Sequence, residues 1–75
     1  MRLDKLLPGQ SATVVGYIAD SVITRRLAEL GLTIGRRIIC LREAPLNGPM
    51  QIQIGVSSLT IRKKQAALVR VDSVT

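Results

Sequence analysis

The sequence contains no histidine, phenylalanine or tryptophan, a single tyrosine (Tyr17) and a single cysteine (Cys40). Each shortage removes a class of function. Without histidine, the usual general base near neutral pH is missing, and a transition-metal site loses its commonest nitrogen ligand. One cysteine excludes an intramolecular disulfide, which agrees with a reducing cytoplasm. With Tyr17 as the sole ring, the chain can build neither an aromatic-lined groove for proline-rich peptides nor a stacking platform for single-stranded nucleic acid. The five carboxylates, Asp4, Asp20, Glu29, Glu43 and Asp72, are scattered, and no two form a close sequence pair. No enzyme, no cofactor and no dedicated metal site is expected.

Long apolar runs are also absent. The longest uncharged stretch, Ala44 to Ile61, is broken by Pro45, Gly48, Pro49 and Gly55 and carries Gln51 and Gln53, so it is not a membrane helix. Met1 to Leu7 includes Arg2, Asp4 and Lys5 with no apolar segment after it. A secretory leader is therefore not expected, and a cytoplasmic location is.

At 75 residues the chain has room for one domain, spanning 1–75, with no second core. Hydrophobic residues make up 47%, drawn from Ile, Val, Leu and Ala; an aliphatic, β-branched core suits strands. Eleven Lys and Arg against five acids give a formal charge of +6, which favours an acidic protein face, anionic lipid or nucleic acid.

Five short strands and one helix are legible. Ser11 to Ile18 reads as the first strand, with Ala12, Val14, Gly16 and Ile18 on one face and Thr13, Val15 and Tyr17 on the other. Asp20-Ser21 is a helix start. Ile23, Leu27 and Leu30 recur at helical spacing as a core stripe, and Gly31 supplies the left-handed residue that ends the helix, with Leu32 folding back over it. Arg36 to Glu43 is a strand with Ile38 and Cys40 on one face and Ile39 and Leu41 on the other. Apolar residues on both faces predict two covers, the second from a helix, a second copy of the chain or a partner. Ala44 to Pro49 is a turn. Met50, Ile52 and Ile54 then alternate with Gln51 and Gln53; Leu59 and Ile61 share a face of Ser58 to Ile61; Arg62 to Ala67 makes a single helical turn; and Leu68 to Asp72 closes the chain. This order describes a small, mainly β, closed or nearly closed barrel with one short helix after the first strand.

Three stretches in this order carry a resemblance. They are Arg26 to Gly35, Ala44 to Pro49 with Met50-Gln51-Ile52 behind it, and Leu59 to Ala66 followed by Leu68 to Val71. Together they resemble the FeoA family over nearly the whole chain. The resemblance implies an SH3-like barrel and an accessory role in ferrous iron uptake beside FeoB, a membrane transporter with a cytoplasmic GTP-binding domain. It departs from the commoner family pattern at Asn47 and at Ile34 before Gly35, both compatible with turns.

The partner surface expected from the residues themselves has two parts. Arg25 and Arg26 on an exposed helix face, with Arg62 and Lys63, supply cations for an acidic partner. Leu46 and Asn47 stand at the tip of the proline-rich turn, where Leu46 is awkward to bury in its own core. Cys40, mid-strand among apolar residues, reads as a small core residue. The alternative reading is a small basic barrel that binds the phosphate backbone of nucleic acid. Self-association through the apolar second strand is a further expectation.

Overall fold

Two tight turns organise the centre of the molecule. In the computed structural model, which describes residues 1–75, strand β2 (Arg37–Glu43) turns through residues 44–49 into β3 (Met50–Ile54). A two-residue turn at Gly55 and Val56 then leads into β4 (Ser57–Ile61). Gly55 has φ of +61°, and it occupies the first central position of that hairpin turn, where glycine carries the positive φ without strain. Strand β1 (Ser11–Tyr17) precedes this meander and β5 (Val69–Asp72) follows it. The five strands form one antiparallel sheet in the order β4-β3-β2-β1-β5, curved around a single core. Helix α1 (Val22–Glu29) links β1 to β2, and the one-turn helix α2 (Lys63–Ala66) links β4 to β5. The free side of β5 is covered by the N-terminal residues: Arg2 bridges to Arg70, and the Val71 amide donates to the Met1 carbonyl at 2.7 Å.

The core is aliphatic throughout. Leu3, Leu6, Leu32, Ile38, Met50 and Ile52 are fully buried, and Cys40 joins them. The alternation expected of Met50 to Ile54 holds, with the three apolar residues inside and Gln51 and Gln53 half-exposed. Leu59 packs against the core and Ile61 is inside it.

The helix ends were also readable. Ser21 caps α1 in a reciprocal capping box with Thr24, whose hydroxyl further donates to the Ala19 carbonyl at 3.0 Å. At the far end the Gly31 amide donates to Ala28 and the Leu32 amide to Leu27, each at 3.0 Å. This paired closure needs the left-handed Gly31 (φ +116°) and brings the buried Leu32 over Leu27.

One expectation needs correction and one is narrowed. The first concerns β1. A bulge between Val14 and Gly16 inserts Val15 opposite β5, so later residues swap faces. Tyr17 packs against the core and donates its hydroxyl to the Leu32 carbonyl, while Ile18, expected on the face of Ala12 and Val14, lies beyond the strand and is exposed. The second concerns the outer face of β2. Ile39 and Leu41 are 39% and 40% exposed, so no second layer of this chain seals that face. A bulge between Cys40 and Arg42 also breaks the register there.

Candidate partner-binding surface

Helix α1 carries more apolar surface than a single short helix on a small barrel can bury. Only Thr24 and Leu27 point inward. Ile23 and Leu30, expected in the core stripe, are 45% and 52% exposed, and Val22 is 75% exposed. With Leu27 at its base and Arg26 and Gln65 on its rim, this face forms an apolar groove of about 180 Å³ between α1 and α2. The sequence carried a hint of it: Val22, Ile23, Leu27 and Leu30 span a wider arc than one buried stripe needs. How much of the arc is covered depends on layers that helical periodicity does not reveal.

The two arginines of α1 differ. Arg25 forms a two-pronged pair with Asp20, Nε to Oδ1 at 3.0 Å and Nη2 to Oδ2 at 3.1 Å. The hydrogen bond and charge of Arg25 hold the Asp20 carboxyl below its ordinary range, and Asp20 raises Arg25 in turn. Both groups are solvent-exposed, so the pair adds little stability. Arg26 has no carboxylate partner and leans over the groove.

A second surface lies beside α2. Asn47, Gly48 and Pro49 of the β2–β3 turn face Arg62, Lys63 and Lys64 across a groove of about 260 Å³ lined by no hydrophobic residue. Leu46, the neighbour of Asn47 at the tip, is fully exposed. The fold thus gathers Leu46, Asn47, Arg62 and Lys63 at one end and leaves Arg25 and Arg26 on α1. Within the first group Lys63 is committed internally. Its Nζ lies 2.7 Å from Glu43 Oε1 and donates to the Asp4 carbonyl at 3.2 Å, so it ties α2 to β2 and to the N-terminal 3₁₀ turn, Leu3–Lys5. Arg62 and Lys64 are exposed and form no salt bridge. One carboxylate oxygen of Asp4 is buried without a hydrogen-bond partner, and nothing around it accounts for that.

Cys40 has no reactive setting. Burial, followed by the nearby Glu43 charge, pushes its thiol above the ordinary value. The acids and this thiol nowhere gather into a group of three that could hold a metal ion. No helix is long and apolar enough to cross a membrane.

Comparison with known proteins places this geometry. The FeoA domain model matches residues 1–73. A Porphyromonas gingivalis protein, a fusion of Fe(2+) transport protein A with the Fe(2+) transporter FeoB, is 29% identical over 75 residues. That match covers 100% of this chain and 9% of the fusion, so the chain spans a small part of that relative. The crystal structure of Stenotrophomonas maltophilia FeoA with zinc, described as a prokaryotic SH3 domain protein, is 31% identical with a TM-score of 0.87. It covers 100% of this chain and 95% of its own. The solution structure of Chlorobium tepidum FeoA is 35% identical with a TM-score of 0.85, over 95% of this chain and 68% of its own. Five antiparallel strands, one short helix after the first and these relatives agree: the chain belongs to the FeoA family of SH3-like proteins associated with ferrous iron transport.

Proposed function

We propose that this chain is a regulatory accessory of a FeoB-type ferrous iron transporter, acting in the cytoplasm by docking on the transporter rather than by catalysis. The observation that carries this reading is the α1 groove. Val22, Ile23 and Leu30 remain exposed around it, and Arg26 stands at its edge with an unpaired charge. A concave apolar patch with one cation beside it fits a partner segment presenting an apolar anchor and a carboxylate. The fusion of a related domain to FeoB in one polypeptide supports the choice of partner, since fused domains work at high effective concentration.

In this reading the domain acts through binding energy. Docking shifts the transporter between states only if the chain binds one of them more tightly. Filling the groove buries parts of three aliphatic side chains, each worth up to about 1.5–3 kcal/mol when fully covered. A single aspartate at Ile23 or Leu30 therefore removes a large share of the affinity. Both positions are half-exposed, so the fold tolerates the change.

The test is ferrous iron uptake in cells dependent on this chain. Ile23→Asp and Leu30→Asp, shown folded by circular dichroism, are expected to abolish the chain's contribution. Wild-type uptake by both folded variants would remove the α1 groove from the account.

A further inference from the structure

The end of the barrel that carries the β2–β3 turn has a surface that docking through α1 leaves unused. Its most exposed feature breaks a local rule. Leu46 and Asn47 are the central residues of a turn closed by the Gly48 amide donating to the Pro45 carbonyl at 3.2 Å, with φ of +58° and +62°. Asparagine accepts that conformation readily and leucine does not. The leucine gains no packing in return, because its side chain is completely exposed. An apolar side chain held out on a strained turn calls for an explanation outside the domain's own stability.

The surroundings of that leucine are basic. Arg62 and Lys64 line the groove behind it, exposed and free of carboxylate partners. Arg42, paired in register with Gln51 near the base of the turn, is exposed and unpaired as well. Lys5 lies in the 3₁₀ turn that packs on α2, and it too is exposed. Among the nearby carboxylates, Glu43 is engaged by Lys63, which leaves Asp4 of the 3₁₀ turn. The result is one fully exposed leucine beside a groove that carries two free cations, Arg62 and Lys64, with Arg42 and Lys5 exposed on the neighbouring strand and 3₁₀ turn.

We propose that this end of the barrel rests on an anionic bilayer surface, with Leu46 inserted at the headgroup level and Arg62 and Lys64 against lipid phosphates. A bilayer interface accepts both chemistries at once: the acyl boundary takes the leucine and the phosphates take the cations. A nucleic acid would meet the cations and leave Leu46 in water. A protein partner would have to offer an apolar socket for Leu46 and several carboxylates for the cations on a single face. The proposal stands on these observations and does not depend on which protein fills the α1 groove. Its strength is modest, since one inserted side chain and a few cations give reversible association that weakens with salt.

The fold supplies matched controls. Val56 is the fully exposed tip of the other hairpin, at the opposite end of β3. Arg36 precedes β2, whose seven residues set it about 20 Å from the turn. The experiment is co-sedimentation of the full chain with phosphatidylglycerol–phosphatidylcholine vesicles and with pure phosphatidylcholine vesicles at physiological salt. Binding is expected to the anionic vesicles alone. Arg62→Glu should lower it at least about fivefold, and Leu46→Asp about tenfold or more. Val56→Asp and Arg36→Glu, with the same charge changes on the far side, should stay within about twofold because charge is screened over that distance. Unfolding curves of all four variants are the check that each is folded. Equal losses in both pairs would overturn the proposal, since they would show unoriented attraction to the net charge of +6. So would wild-type protein that ignores anionic vesicles, or that binds a DNA duplex and no vesicle.

Discussion

Replacing Leu46 by asparagine separates what this side chain does for the fold from what it does outside it. At φ of +58° the Cβ of an ordinary L residue crowds the next carbonyl, at a cost of roughly 1–2 kcal/mol. Asparagine avoids part of that cost, because its short polar side chain can hydrogen-bond locally and tolerates the left-handed region, the conformation that Asn47 adopts beside it. Nothing offsets the gain, because Leu46 is fully exposed and its removal leaves no cavity. Leu46→Asn should therefore stabilise the domain by about 0.5–1 kcal/mol. For a chain of this size that raises Tm by about 2–8 °C, taking 4–8 °C per kcal/mol. Thermal and urea unfolding followed by circular dichroism read the change directly. A variant destabilised by more than about 0.5 kcal/mol, outside the usual range for surface changes, would refute the reasoning. It would mean that Leu46 packs on the domain or that the turn is not left-handed. The same substitution should weaken association with anionic vesicles, so that stability rises as binding falls.

Two further outcomes test the core and its thiol. Ile52, fully buried in a strand with neighbours on both sides, should cost about 2–5 kcal/mol when cut to alanine. Cores of this size net only about 3–5 kcal/mol, so Ile52→Ala should be largely unfolded at 37 °C; a cooperative, wild-type-like melt would contradict the core assignment. Cys40 should resist thiol reagents in the native protein and react once urea unfolds it, because burial raises its pKa. The linkage follows from that direction: its contribution is intact below the unfolded thiol value of about 8.5 and is lost as pH rises beyond it, where only the unfolded chain ionises. Cys40→Ala should flatten that alkaline loss, and rapid labelling of native protein would place the thiol at the surface.

Much of the fold was legible because it is governed by local rules. Period-2 alternation placed Met50, Ile52 and Ile54 inside, and the Leu27…Gly31-Leu32 pattern marked the left-handed end of α1 that two backbone hydrogen bonds close. The prolines and the Asn47-Gly48 step marked the turn that presents Leu46. Features set by tertiary structure were less visible. The bulge at Val15 moved Tyr17 inward and Ile18 outward, and the adjacent Gly16 was its only local trace. The exposure of Ile23 and Leu30 depends on nothing in this chain covering α1. The engagement of Lys63 by Glu43 joins residues 20 positions apart, and a basic run in sequence does not say which of its members is already paired. For the same reason Arg25 and Arg26 looked alike in the sequence, and only the structure distinguishes the paired guanidinium from the free one.

The central claim is that the α1 groove docks on a FeoB-type transporter, and direct binding tests it most plainly. Labelled chain would be titrated against the purified transporter in detergent, where no bilayer contributes, with and without guanine nucleotide. The account predicts saturable binding that Ile23→Asp abolishes. It also predicts that Arg26→Glu weakens binding at low salt more than Arg25→Glu does, because Asp20 already engages Arg25. Absence of binding in every nucleotide state, or equal binding by wild type and Ile23→Asp, would contradict it.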